Sequence, residues 1–165
     1  MKKYILGIDP ANVQSAYVLL DTDFKLYDKG KIPNEEMLLK IDEIKKEYKN
    51  VTLAIEMIAS YGMAVGKTTF ETCLWIGRFI ERFTPLEYEL VYRKDVKMNL
   101  CYSMRAKDSN IRQALIDRFG VVGTKKNQGY FYGFKSDIWQ SHAVAVTYID
   151  KLKEERETKY DRKTT

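Results

Sequence analysis

Lys3-Tyr4-Ile5-Leu6-Gly7-Ile8-Asp9-Pro10 is a short apolar run that ends on a carboxylate. A run of this length and composition reads as a buried strand, with Ile and Tyr suited to a pleated surface. Pro10 has no N–H to give a ladder, so the strand stops there and Asp9 sits at its end. Val51-Thr52-Leu53-Ala54-Ile55-Glu56 ends the same way, on Glu56, and Asp137 opens a helical stretch near the C-terminus. A single acid at a strand end is usually a turn former or a cap. Three acids at three element ends instead predict one converging site, and clustered carboxylates suit a hard divalent cation, which takes oxygen ligands.

Outward from that strand, Ser15–Asp21 and Leu26–Ile32 read as two more strands joined by the polar turn Asp21-Thr22-Asp23. Three strands with short connections predict an antiparallel meander. Pro33-Asn34-Glu35-Glu36 predicts a helix start with Asn34 as cap, and Met37, Leu38, Ile41 and Ile44 form its apolar face. The strand ending on Glu56 lacks polar alternation, so it is central and parallel to its neighbour. A Gly- and Ala-containing loop leads to a helix over 68–83, with the stripe Phe70, Cys73, Ile76, Gly77, Ile80 and Phe83 facing the core and Trp75 and Phe79 off it. A helix apolar on two faces needs two partners, and a second subunit is one candidate. Tyr88–Tyr92 is the fifth strand, followed by a basic region with Arg93, Lys94, Lys97, Arg105 and Lys107. A helix over 108–119 precedes a loop over 121–136 that carries Lys125, Lys126 and the aromatic run Tyr130–Phe134. The last helix spans 137–156, and 157–165 is a charged, frayed tail to the single domain 1–156.

The chain has 165 residues, 45% hydrophobic, with a formal net charge of +5 and a pI near 9.0. That is enough for one cored domain, and the basic balance fits a polyanionic partner. Cys73 and Cys101 match no metal spacing and fit a reduced, cytoplasmic protein. No segment is long and apolar enough to span a membrane. Gly66-Lys67-Thr68 is not a phosphate loop, because the glycine that motif needs five residues earlier is Tyr61.

In order and spacing, Leu6-Gly7-Ile8-Asp9-Pro10, Ile55-Glu56, Val96-Lys97, Ala106-Lys107 and Asp137 before Ala143-Val144-Ala145-Val146 resemble a RuvC-type Holliday-junction resolvase of the RNase H-like superfamily. The compact form resembles the phage-encoded members, which act in the cytoplasm of a bacterial host. The resemblance implies a five-stranded mixed α/β sheet flanked by helices on both faces. It implies a homodimer through the helix near 68–83, and metal-dependent hydrolysis of branched DNA by two Mg2+ ions, with Mn2+ as a substitute. Carried over by position, Asp9, Glu56 and Asp137 are metal ligands, and Lys97 and Lys107 lie near the scissile phosphate. Tyr61 or Met63 would enter the centre of the junction. Lys67, Arg93, Lys94, Arg105, Lys125 and Lys126 would contact DNA. The chain departs from the pattern at Gln140, where the family has a fourth acid. Positions i and i+3 lie about 60° apart around a helix, so Gln140 shares a face with Asp137 and offers an uncharged oxygen. His142, about 140° from Asp137, is a packed histidine rather than a ligand. Two other readings remain: a junction-binding protein whose cleavage Gln140 has weakened, and, far behind, an actin-like phosphotransferase, for which the chain is too short.

Overall fold

The structure, a computed structural model, describes residues 1–164. Its sheet is built from β1 (Tyr4–Asp9), β2 (Gln14–Asp21), β3 (Leu26–Pro33), β4 (Val51–Met57) and β5 (Tyr88–Tyr92), in the order β3-β2-β1-β4-β5. The β1–β2 and β2–β3 pairs are antiparallel, whereas β1–β4 and β4–β5 are parallel. The meander, the central parallel strand and the fifth edge strand are therefore as the sequence predicts.

Strand alternation sorts the core into two halves. Leu6 and Ile8 of β1, with Leu53 and Ile55 of β4, face α1 (Asn34–Glu47) and α2 (Lys67–Phe83). Ile5 of β1 and Ala54 of β4 face the opposite layer, which holds α3 (Arg93–Cys101), α4 (Asp108–Phe119) and α5 (Ile138–Thr164). Asp9 and Glu56 continue this second set at two-residue spacing, so both acids emerge on the face that α5 crosses. At Gly7, between Ile5 and Asp9, a Cβ would stand 2.5 Å from the Ser141 carbonyl oxygen and 2.8 Å from the Ala145 Cβ. Glycine here lets the helix backbone lie directly on the strand.

The turn after Asp9 is held from β2 and α1. Ser15 Oγ accepts from the Ala11 N–H at 3.1 Å and donates to Asn34 Oδ1 at 2.6 Å, while Asn34 Nδ2 donates to the Ala11 carbonyl at 2.8 Å. Asn34 was expected as a helix cap. It is instead fully buried, and its amide is spent on this turn.

Other expectations are corrected. In α2 the buried positions are Thr72, Ile76, Phe79 and Phe83, so Phe79 is core, and Phe70 is 61% exposed. Within the basic region after β5, to which the sequence assigns no element, α3 occupies 93–101 with Val96 buried. The last helix continues through Thr164 rather than ending at Arg156, its final turns exposed; Thr165 lies outside the described residues. No helix among the described residues is long and apolar enough to cross a membrane.

The aromatic run packs into the core. Phe131 is fully buried and tilts against Trp139 with centroids 4.5 Å apart, and Phe134 is buried beside it. Phe131 and Phe134, with Phe119 and Tyr130, surround His142. The Tyr130 hydroxyl donates to the Phe24 carbonyl at 2.6 Å and lies 3.0 Å from His142 Nε2. With its one proton given to Phe24, the hydroxyl accepts from Nε2–H, and Nδ1 is left deprotonated with no hydrogen-bond partner. Burial pushes the His142 pKa down to about 3, with a smaller push from Arg118.

The unfolded chain therefore takes up a proton near the ordinary pKa of 6.5, and the folded chain refuses it until about 3. Stability from this site is complete above the higher value and drains as pH falls between the two. From pH 7 to pH 4.5 the wild type should lose about 2–3 kcal/mol more than His142→Phe in urea unfolding. Equal losses in both proteins would contradict this assignment.

Candidate metal and nucleic-acid site

Asp9 and Glu56 stand at the carboxyl ends of adjacent parallel strands, directly beyond the Ile8–Ile55 register pair. That edge of an open α/β sheet is where side chains escape the core and ligands bind. Burial, then the negative charge of Glu56, then that of Asp137 push the Asp9 carboxyl well above the ordinary range. Burial raises Glu56 as well, and Arg93 opposes that rise. Asp9 is thus the member of the pair whose ionisation is the more disfavoured.

Both oxygens of Glu56 are engaged. Gln140 Nε2 donates to Oε2 at 3.2 Å, and an Arg93 guanidinium nitrogen lies 3.6 Å from Oε1. Arg93, the first residue of α3, also pairs with Asp108, the first residue of α4. Asp137 stands just before α5, accepting the Ser141 N–H on its backbone carbonyl at 3.0 Å, and its carboxylate is bonded to Lys31 Nζ at 2.6 Å. Asp9, Arg93, Asp108, Arg112, Asp137, Trp139 and Gln140 line one small cavity of about 90 Å³. Arg112 covers the Trp139 ring, its guanidinium carbon 4.5 Å from the centroid.

The Asp9–Glu56 pair offers the oxygen donors that a hard cation takes, and a cation there would favour the ionised form of Asp9. Among the described residues, however, no three acids, histidines or cysteines lie close enough together to hold an ion. Asp137 acts on Asp9 through its charge while its oxygen is held by Lys31.

The remaining predicted residues divide by position. Lys97 lies one helical turn beyond Arg93 on α3 and so shares its face. Lys107 precedes α4, its N–H donating to Asn110 Oδ1 at 2.8 Å, and Arg105 is exposed in the turn before it. Neither Lys97 nor Lys107 lines the small cavity. Lys94 is exposed beside the Tyr92 ring. Tyr61 and Met63 are 67% and 77% exposed in the loop that follows β4, and Lys67 opens α2, 3.5 Å from Glu71. Lys125 and Lys126 lie at a loop tip closed by the Gly123–Gln128 bridge. Its base packs through Phe119 and Tyr130 on Phe24, at the opposite end of the sheet from Asp9. His142 is turned into its aromatic cage, away from the acids.

Three charged residues at the site were not picked out from sequence: Lys31, Asp108 and Arg112. Lys31 had a usable signal. The ladder pairs Asp9 with Ala16 and Ala16 with Lys31, which puts Lys31 two strands away at the same level. Arg112 and Asp108 had none beyond their places on α4.

No family model matches the sequence, and no curated protein matches it. Solved structures do. Thermus thermophilus RuvC in complex with a Holliday junction substrate is similar with a TM-score of 0.65 and 12% identity, over 88% of this chain and 91% of that one. Another structure of Thermus thermophilus RuvC is similar with a TM-score of 0.66 and 12% identity, over 87% and 92%. At this identity the likeness shows the fold: a RuvC-like, RNase H-like α/β domain with a five-stranded mixed sheet between two helical layers.

Proposed function

We propose that this protein is a structure-selective endonuclease that binds four-way or branched DNA as a dimer and hydrolyses its phosphodiesters with Mg2+, for which Mn2+ substitutes. The observation that carries the reading is the Asp9–Glu56 pair, two carboxylates forced together at the ligand-binding edge of a RuvC-like sheet. The net charge of +5 and the arginines around the cavity suit a phosphate backbone. In support of a dimer, the outward face of α2 leaves Phe70 and Leu74 61% and 71% exposed. The loop before it adds Tyr61, Met63 and Val65, an apolar surface unusual for a side left to solvent.

Asp9 and Glu56 would hold the ion, with Asp137 and the Gln140 amide oxygen beside it. When bound, a divalent ion lowers the pKa of water and neutralises charge on a scissile phosphate. Gln140 satisfies Glu56 and orients it. Arg93, Arg112, Lys97 and Lys107 would fix the phosphate backbone against the cavity. The two-ion form that the resemblance implies needs a fourth oxygen ligand, and Gln140 brings one without charge.

The second reading, a junction binder with weak or absent cleavage, is favoured by that same glutamine and by the Lys31 bond on Asp137. The two are separated on a synthetic four-way junction with Mg2+ or Mn2+. The wild type should nick it, and Asp9→Asn should bind equally well but cut at least about a hundredfold more slowly. Binding without cutting in either metal would sink the nuclease and leave the binder.

Gln140→Glu addresses the binder directly. If the missing charge is what limits the chemistry, cleavage should rise at least about tenfold with junction affinity unchanged. An unchanged or lower rate means that the native amide is the working residue.

Asp9 keeps a proton above the ordinary carboxylate range, and an incoming cation must expel it. Mn2+ affinity should therefore rise with pH through neutrality, with proton release on binding. Titration calorimetry in buffers of different ionisation enthalpy reads that release. A pH-independent affinity with no proton released would contradict the assignment of Asp9.

A further inference from the structure

The charges around the cavity do not provide for two divalent ions. Four carboxylates, Asp9, Glu56, Asp108 and Asp137, stand among three cations, Lys31, Arg93 and Arg112. With all of them ionised, one negative charge is left over. One divalent ion turns this into a single positive charge, the complement of one phosphodiester. A second ion would leave three positive charges in a confined, partly buried space, where like charges repel strongly.

The positions of two residues point the same way. Arg93 spans Glu56 and Asp108, 3.6 Å from the first and directly hydrogen-bonded to the second. A cation bridging two carboxylates that would otherwise repel is what a second metal ion does in a two-ion site. Gln140 stands where an acid would need that second ion, and its amide donates to Glu56 at 3.2 Å. A carboxylate there would instead repel Glu56. An arginine at one oxygen of Glu56 and an amide at the other act in the same direction, because each removes part of the demand for a second metal.

We propose that each protomer binds a single divalent ion at Asp9 and Glu56, and that the Arg93 guanidinium takes the place of the second ion, contacting the scissile phosphate from the Asp108 side. This rests on the nuclease reading above and narrows its metal requirement. Arg93 is then a catalytic residue rather than one of several DNA contacts. Its planar fork suits two phosphate oxygens as well as it suits two carboxylates.

The test is Mn2+ stoichiometry, read by electron paramagnetic resonance of free Mn2+ during titration, on wild type, Arg93→Lys and Arg93→Ala. Thermal melts of the same samples exclude unfolding. One tight Mn2+ per protomer is expected in the wild type and in Arg93→Lys. Arg93→Ala frees both Glu56 and Asp108, and it should either take up a second Mn2+ or bind the first at least tenfold more tightly. Junction cleavage by Arg93→Ala should fall at least a hundredfold with both Mn2+ and the junction at saturating concentration, so that lost affinity does not account for the loss. Arg93→Lys, which keeps the charge but loses the fork, should fall between. Two tight Mn2+ ions per wild-type protomer, or wild-type cleavage by Arg93→Ala, overturns the role of Arg93 and leaves a metal nuclease standing. A wild type that neither binds Mn2+ nor cuts overturns both.

Discussion

The contact between the backbone of α5 and the middle of β1 sets the rest of the molecule. Gly7 has no side chain, so the Ser141 carbonyl and the Ala145 methyl sit where a Cβ would be. Any larger residue must lift the helix or bend the strand, at a cost of about 1–3 kcal/mol for the added atoms. The close approach is also what brings Gln140 within reach of Glu56 and puts Asp137 in the field of Asp9. The packing of the core and the assembly of the site are therefore one event. The small residues at the contact, Ser141 and Ala145, are both fully buried, and they keep that helix face flat enough to lie on the sheet.

Much of this was legible because strand alternation is a rigid rule. Once β1 and β4 are recognised, the two-residue period puts Asp9 and Glu56 on one face, and the parallel register puts them side by side. The meander followed from short polar turns. Helix faces were less legible where a helix is apolar on two sides. In α2 the stripe through Phe70 and the one through Phe79 both satisfy helical spacing, and only the sheet chooses between them. The helix α3 has little apolar pattern because its sequence, Arg93 to Cys101, is mostly polar, with Val96 buried and only Leu100 and Cys101 packed partly beside it. Asp95, which caps the N–H of Tyr92 at 3.0 Å, was the local signal. The charged end of α5 extends the helix to Thr164 because its Lys, Glu and Arg residues are good helix formers and need no partner to lengthen an existing helix.

Lys31 and Arg93 show why the electrostatics of such a site stay hidden in a sequence. Acids announce themselves at strand ends, while their counter-ions arrive from elements with no shared motif: Lys31 from an outer strand through two ladder steps, Arg93 from the start of a polar helix. The pair divides the acids between them. Lys31 holds Asp137, and Arg93 holds Glu56, so neither is left uncompensated beside the half-buried Asp9.

That division also explains why a neutral residue is tolerable at position 140. A site of four acids at one sheet edge would be unstable without metal, because burial and mutual repulsion both disfavour the ionised forms. Here the repulsion is relieved from inside the protein by two basic side chains and one amide. The fold can then form before any ion arrives, with the carboxylates already in place at the sheet edge. The cost is a weaker field for a divalent cation than four free acids would give. Under the proposed function, selectivity for a small, hard ion would then depend on the one pair that no basic side chain fully neutralises, Asp9 with Glu56.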